Sequence, residues 1–248
     1  MATHFHSRHP GHLSPVHYHI RCSYTFYLLS NLIYQPAPTP CLQLGHTITS
    51  SPSHHHDIFI NIATQNVGGL KSESERGSGP KISVLRALAR EKLDFLVLTE
   101  ARVDVRAIKK IKLKRNLQVT MHSLHPRPRG GVIVFSKREH KLIPDSVRTS
   151  ESQGHFVMGV YEVKTTRVVV AGVYGCSESG DRASLAVIQD LRDRIQELSH
   201  VYNTRTVLLA GDFNATLSQA DSNNQIINKP NTVQALHALI EDHQLVDL

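Results

Sequence analysis

Two side chains able to act together stand two residues apart in Leu208-Leu209-Ala210-Gly211-Asp212-Phe213-Asn214. The run from Thr206 to Ala210 is mostly apolar, as in a strand covered on both faces, and it stops at a glycine followed by an acid and an amide. Residues two apart in an extended segment project to the same side, so the Asp212 carboxylate and the Asn214 amide can converge on one ligand. In helix-covered sheets reactive groups collect at strand ends, where the core fixes a side chain that substrate can still reach. A second acid, Glu100, ends the run Leu93 to Thr99. A carboxylate there can grip Mg2+, which favours oxygen donors and often takes only one or two protein carboxylates. Asn66 closes the run from Ile58, and Tyr174 closes the one from Arg167. Each position also has an ordinary reading: Gly-Asp-Phe-Asn makes a common turn, and Glu100 suits a solvated loop.

The elements that must carry these residues are legible in the spacing. Ile58 to Asn66 predicts a first strand, broken at Val67-Gly68-Gly69-Leu70. Pro80 suits a first helical position, and Ile82, Leu85, Leu88 and Ala89 recur at helical spacing up to Leu93. Asp104 to Arg115 reads as a short helix bearing Arg106, Lys109, Lys110, Lys112, Lys114 and Arg115, either a solvated face or a set of phosphate contacts. Leu117 to His122 and Gly131 to Phe135 predict strands flanking a stiff basic loop, Pro126-Arg127-Pro128-Arg129. A hairpin over 154–163 and 167–174, turning at Thr165 and Thr166, is followed by an amphipathic helix from about Arg182 to Val201. After the Asp212 strand, Val233 to Asp242 predicts a last helix. The alternation implies a mixed α/β fold with helices outside sheets.

Composition narrows the class. With 248 residues and 40% hydrophobic content the chain can build one large domain plus an appendage. A net charge of +7 favours a polyanionic partner such as nucleic acid. Cys22, Cys41 and Cys176 show no paired spacing, which argues against a disulfide framework or a zinc site and for a reduced, intracellular setting, the nucleus included. Residues 1–57 hold ten of the 17 histidines, six prolines and almost no charge, so they are expected to be disordered or loosely packed beside a domain over 58–248. His54-His55-His56 is compositional rather than chelating, because successive strand residues face opposite ways. Tyr24 to Tyr34 is too short and polar to span a membrane.

Four strand-end signals stand in order: Gln65-Asn66-Val67-Gly68-Gly69-Leu70, Leu98-Thr99-Glu100, Val173-Tyr174-Gly175-Cys176 and Gly211-Asp212-Phe213-Asn214. With Arg129-Gly130-Gly131-Val132 and Leu245-Val246-Asp247-Leu248, they resemble the endonuclease/exonuclease/phosphatase family over residues 58–248. Within it, they are most similar to the apurinic-type endonuclease domains of non-LTR retrotransposons. The resemblance implies a DNase I-like sandwich of two mixed sheets flanked by helices, with DNA as partner and Mg2+, or Mn2+ in its place, as cofactor. It implies that Glu100 is the principal metal ligand, assisted by Asn66, and that Tyr174 contacts the scissile phosphate. Asp212 would orient or deprotonate the attacking water, and Asn214 would hold a phosphate oxygen. Arg129, Lys109, Lys110 and Lys112 are expected to contact nucleic acid. These residue types suit phosphodiester hydrolysis, which needs a metal to offset growing negative charge and an acceptor for the water's proton.

Three departures stand out. Gly68 replaces an acid found in many relatives, and Ser177 lies where an Asn is frequent. The family's closing Ser-Asp-His element has no counterpart up to Leu248, and His237 and His243 come too early to supply it. The resemblance therefore implies a C-terminally truncated domain, possessing most of an active site. Two other readings stand beside the hydrolase: an inactive remnant that still binds nucleic acid, and a phosphoesterase of the same fold acting on a small phosphate ester.

Overall fold

The structure, a computed structural model, describes residues 18–26, 58–70, 92–111, 117–126, 130–152, 154–176, 180–215, 217 and 229–245. The expected helix after Pro80, the His triplet, Lys112, Arg127 to Arg129, Ser177 and the chain end from Val246 lie outside the described residues.

Among the described residues, two five-stranded sheets form the frame. The first contains β1 (Tyr18–Phe26), β2 (Ile58–Asn66), β3 (Phe95–Thr99), β4 (Leu117–Ser123) and β5 (Val132–Lys137), in the order β1-β2-β3-β5-β4. The second orders β10 (Val207–Asp212), β9 (Thr166–Tyr174), β8 (Phe156–Val163) and β6 (Lys141–Leu142), with β7 (Arg148–Thr149) also paired to β8. Three described helices accompany them: α1 (Val105–Lys110), α2 (Asp181–Val201) and α3 (Pro230–His243).

Strand periodicity explains the layering. On β9, Val168 and Val170 face the first sheet, packing into a core with Ile60, Ile62, Phe95, Val97, Val132 and Val134. The alternate residues Val169, Ala171 and Val173 face outward onto Ile188, Leu191, Ile195 and Leu198 of α2 and Leu236 and Leu239 of α3. The outer face of the first sheet, with Leu96, Leu98, Ile133 and Phe135, is covered by Val103 and Ile108. Both faces of the central strands are thus buried, which is why they read as continuous apolar runs. Gly172 lets the sheets approach: a Cβ there would lie 2.8 Å from Val132 Cγ1 and 3.0 Å from Val97 Cγ1. Inside the sandwich the Tyr161 hydroxyl pairs with Thr120 Oγ1 at 2.6 Å, and burial pushes the phenol up to about 12.

Several boundaries move for local reasons. The β8–β9 turn falls at Lys164 and Thr165, one residue early, because Lys164 takes the left-handed conformation (φ 55°). The basic helix starts on its Asp104 cap, whose carboxylate accepts from the Ala107 N–H at 2.7 Å, and it ends at Lys110. Helix α3 begins earlier than its apolar spacing suggests, with Pro230 at its first turn. Within the segment expected to lack structure, Tyr18–Phe26 forms β1, parallel to β2 with Tyr18 opposite Ile58. Its Tyr, Ile, Thr and Phe content suits a strand once a partner edge exists.

Candidate active site

Parallel pairing sets the geometry of the site. Strands β2 and β3 run parallel, with Asn66 opposite Thr99, so Asn66 and Glu100 emerge at the same end of the first sheet. Strands β9 and β10 also run parallel, with Asp212 opposite Tyr174. The two ends meet: Asn66 Nδ2 donates to Asp212 Oδ2 at 2.8 Å across the sandwich, joining residues 146 apart in the chain. Asn66 Oδ1 accepts from the Gly68 N–H at 3.0 Å, which fixes the orientation of the amide.

The Gly211 to Asn214 segment is both turn and site. Asn214 adopts a left-handed backbone (φ 48°), its N–H donates to Asp212 Oδ1 at 3.0 Å, and its side-chain amide donates to the Gly175 carbonyl at 2.9 Å. The Gly175 N–H in turn donates to the Asp212 carbonyl at 2.7 Å. Glycine is required at 175, where a Cβ would sit 1.9 Å from the Phe213 carbonyl oxygen. The Asp212 carboxylate is thus aimed by an amide on each of its oxygens while its residue stays half-buried.

Glu100 also lies in the left-handed region (φ 55°), its carboxylate paired with the Arg102 guanidinium. The backbone behind it is tied to the glycine loop: the Gly69 N–H donates to the Glu100 carbonyl at 2.7 Å and the Arg102 N–H to that of Gly130 at 2.9 Å. Tyr174 is 8% exposed, its ring against Gly130, where a Cβ would come within 3.1 Å. Asn66, Glu100, Tyr174, Asp212 and Asn214 therefore gather at one end of the sandwich. Lys109 is exposed on α1, the described structure extends only to the backbone of Lys110, and Lys112 and Arg129 are outside it.

Sequence reasoning missed two groups behind the site. Lys229, which reads as a surface lysine before Pro230, is 3% exposed, and its Nζ donates to the Cys176 carbonyl at 2.5 Å and weakly to that of Asn214 at 3.4 Å. His155 lies 3.8 Å from Cys176 Sγ and pairs through Nδ1 with the Tyr174 carbonyl at 2.9 Å. The Cys176 contact, with that carbonyl, raises the imidazole pKa against the pull of burial. A signal existed only in part: Lys-Pro at a helix start is visible, but burial of the lysine is not.

Oxygen donors suit a hard cation at the strand ends, where Glu100 supplies a carboxylate and Asn66 a carbonyl from adjacent parallel strands. Another group, Asp94, Glu139 and His140, brings its ligand atoms within 4.8 Å at the opposite end of β3. A lysine ammonium already pairs with both of its carboxylates. Lys137 Nζ lies 2.7 Å from Asp94 Oδ1 and 3.7 Å from Glu139 Oε1, so this cluster reads as an ion-pair network instead of a metal site.

Comparison with known proteins identifies the family and the fold. The profile of the Endonuclease/Exonuclease/phosphatase family matches residues 63–244. None of the curated proteins matches in sequence. Among solved structures, an AP endonuclease from Archaeoglobus fulgidus is similar at 18% identity and TM-score 0.53, covering 73% of this chain and 69% of that one. The APE2 catalytic domain of Xenopus laevis is similar at 14% identity and TM-score 0.51, over 71% of this chain and 66% of that one. The endonuclease domain of TRAS1, a telomere-specific non-LTR retrotransposon, aligns at 12% identity and TM-score 0.43, over 64% of each chain. At these identities the first two likenesses show the fold, a DNase I-like sandwich. The family match runs from within β2 to the end of α3 and includes all four strand ends, and the chain belongs to the Endonuclease/Exonuclease/phosphatase family.

Proposed function

We propose that the chain is a metal-dependent phosphodiester hydrolase, an endonuclease domain of retroelement type that acts on DNA. The observation that carries this reading is the Asn66–Asp212 hydrogen bond, which draws an oxygen-donor pair on one sheet and an acid–amide pair on the other to a single place. Glu100, with the Asn66 carbonyl, would hold Mg2+ or Mn2+. The bound ion supplies charge stabilisation for a phosphate oxygen. Asp212 would orient a water molecule and accept its proton, with Asn66 and the Asn214 N–H holding the carboxylate. Asn214 and Tyr174 bind the phosphate from the second sheet. The net charge of +7 and the exposed Lys109 support a polyanionic substrate. The retroelement assignment rests on the order and wording of the four motifs.

Supercoiled-plasmid nicking tests the reading. The expected result is Mg2+-dependent conversion to open circles, abolished by chelation and strongly reduced in Asp212→Ala. Nicking that persists unchanged in Asp212→Ala overturns it. DNA binding that weakens steeply with salt but never leads to cleavage would establish the binding remnant instead.

A further inference from the structure

Lys229 is a buried cation whose acceptors, among the described residues, are both backbone carbonyls and not carboxylates. Burying an ammonium without a counter-ion is costly, so its retention calls for a compensating role. Its two acceptors belong to different loops. The Cys176 carbonyl lies two residues after Tyr174 on the β9 exit, and that of Asn214 two residues after Asp212 on the β10 exit. The same two loops are joined by Asn214 Nδ2 to the Gly175 carbonyl and by the Gly175 N–H to the Asp212 carbonyl. Lys229 adds a third connection from beneath.

The lysine is itself held from outside the site. It is the N-cap residue of α3, whose first turn is anchored to the start of α2. Asp181 accepts from the Asn231 N–H at 3.0 Å, the Thr232 N–H at 2.9 Å and Thr232 Oγ1 at 2.6 Å. Its carboxyl is held below the usual range, first by the Thr232 hydroxyl. A carboxylate on one helix thus sets the start of the next, and that start delivers an ammonium under both loops.

From this arrangement we infer that Lys229 is a positioning residue: its ammonium braces the Tyr174 and Asp212 loops and places fixed positive charge behind the phosphate site. The kinetic half of the inference rests on the hydrolase reading above, whereas the brace itself does not. Lys229 touches no reacting atom. It acts through the carbonyls it holds, and the anion that enters in front of them is the counter-charge the lysine otherwise lacks.

The test compares the full chain with Lys229→Met, of similar shape without charge, and Lys229→Arg, which keeps the charge. Amide hydrogen exchange and plasmid nicking are followed in all three. In Lys229→Met, protection is expected to fall at Gly175 and Asn214 while the amides of β3, β5 and β9 stay protected. Its kcat is expected to fall about 10- to 100-fold with KM nearly unchanged, the range typical of residues that orient a site from behind. Lys229→Arg is expected to recover part of both losses. Wild-type protection and kcat in Lys229→Met overturn the inference. So does loss of strand protection throughout, which makes the lysine a support of the fold, and so does a Lys229→Arg protein as impaired as Lys229→Met. If wild type never nicks yet Gly175 and Asn214 still lose protection in Lys229→Met, the hydrolase reading fails and the brace stands.

Discussion

The two ends of strand β3 carry acids in opposite circumstances. At its start Asp94 accepts from Lys137 Nζ at 2.7 Å, the Asn61 N–H at 2.8 Å and His140 Nε2 at 2.9 Å, and the His140 ring stacks on Phe95 at 5.2 Å. Burial alone would raise this carboxyl, but the donors overcome it and bring the pKa down to about 2. At the other end Glu100 faces one guanidinium, and Asp212 across the seam has an amide on each oxygen and remains half-buried. Donors close around Asp94 on every side. Around Asp212 and Glu100 the donors are fewer, and both residues stay partly exposed. An acid surrounded by donors holds a fold together, whereas one aimed by donors and left accessible can do chemistry.

Mutating one end and then the other should separate the two properties. Asp212→Ala is expected to give the largest effect, a nicking rate lower by about 100-fold or more, on the scale of losing one preorganised catalytic group. Its urea midpoint should stay near that of wild type. Asp94→Asn should do the converse, lowering unfolding free energy by roughly 3 kcal/mol because it breaks a buried ion pair, while activity per folded molecule holds. An Asp94→Asn protein with full stability and impaired nicking would erase the contrast between the ends.

The pH dependence of stability sharpens the same comparison. The Asp94 carboxyl is depressed in the folded state from 3.8 to about 2, so its contribution is complete above about pH 4 and disappears as pH falls towards 2. The loss amounts to about 2 kcal/mol and should be absent from the urea titration of Asp94→Asn. The smallest effect belongs to the site end. His155 is raised above 6.5 by Cys176, so its contribution is complete below that pH and fades as pH rises through the folded value. Comparing stability from pH 6 to 8 in wild type and Cys176→Ala should show a shallower slope in the variant.

Much of the site was legible because each residue ends a strand whose burial could be read locally. Asn66, Glu100, Tyr174 and Asp212 each follow or close an apolar run, and the structure puts them at one end of the sandwich. Their mutual contacts were not legible. The Asn66–Asp212 bond depends on how two sheets stack, and no periodicity in either strand encodes that. Lys229 was missed because lysine ordinarily marks surface, and the burial of this one is decided by α3 docking on Asp181. Asp94 was passed over for a related reason: its partners Lys137 and His140 belong to the end of β5 and the turn after it, and register brings them to the start of β3. Strand β1 has no signal of its own beyond a few β-formers, since an edge strand is defined by the edge it joins.

The seam between the sheets has a consequence in time. A residue pair 146 positions apart cannot meet until the second sheet has formed and docked on the first. During synthesis Asn66 and Glu100 leave the ribosome long before Asp212 and Asn214 exist, so the emerging chain holds only one side of the candidate site. The candidate site can therefore be completed only as one of the last events of the chain's own folding.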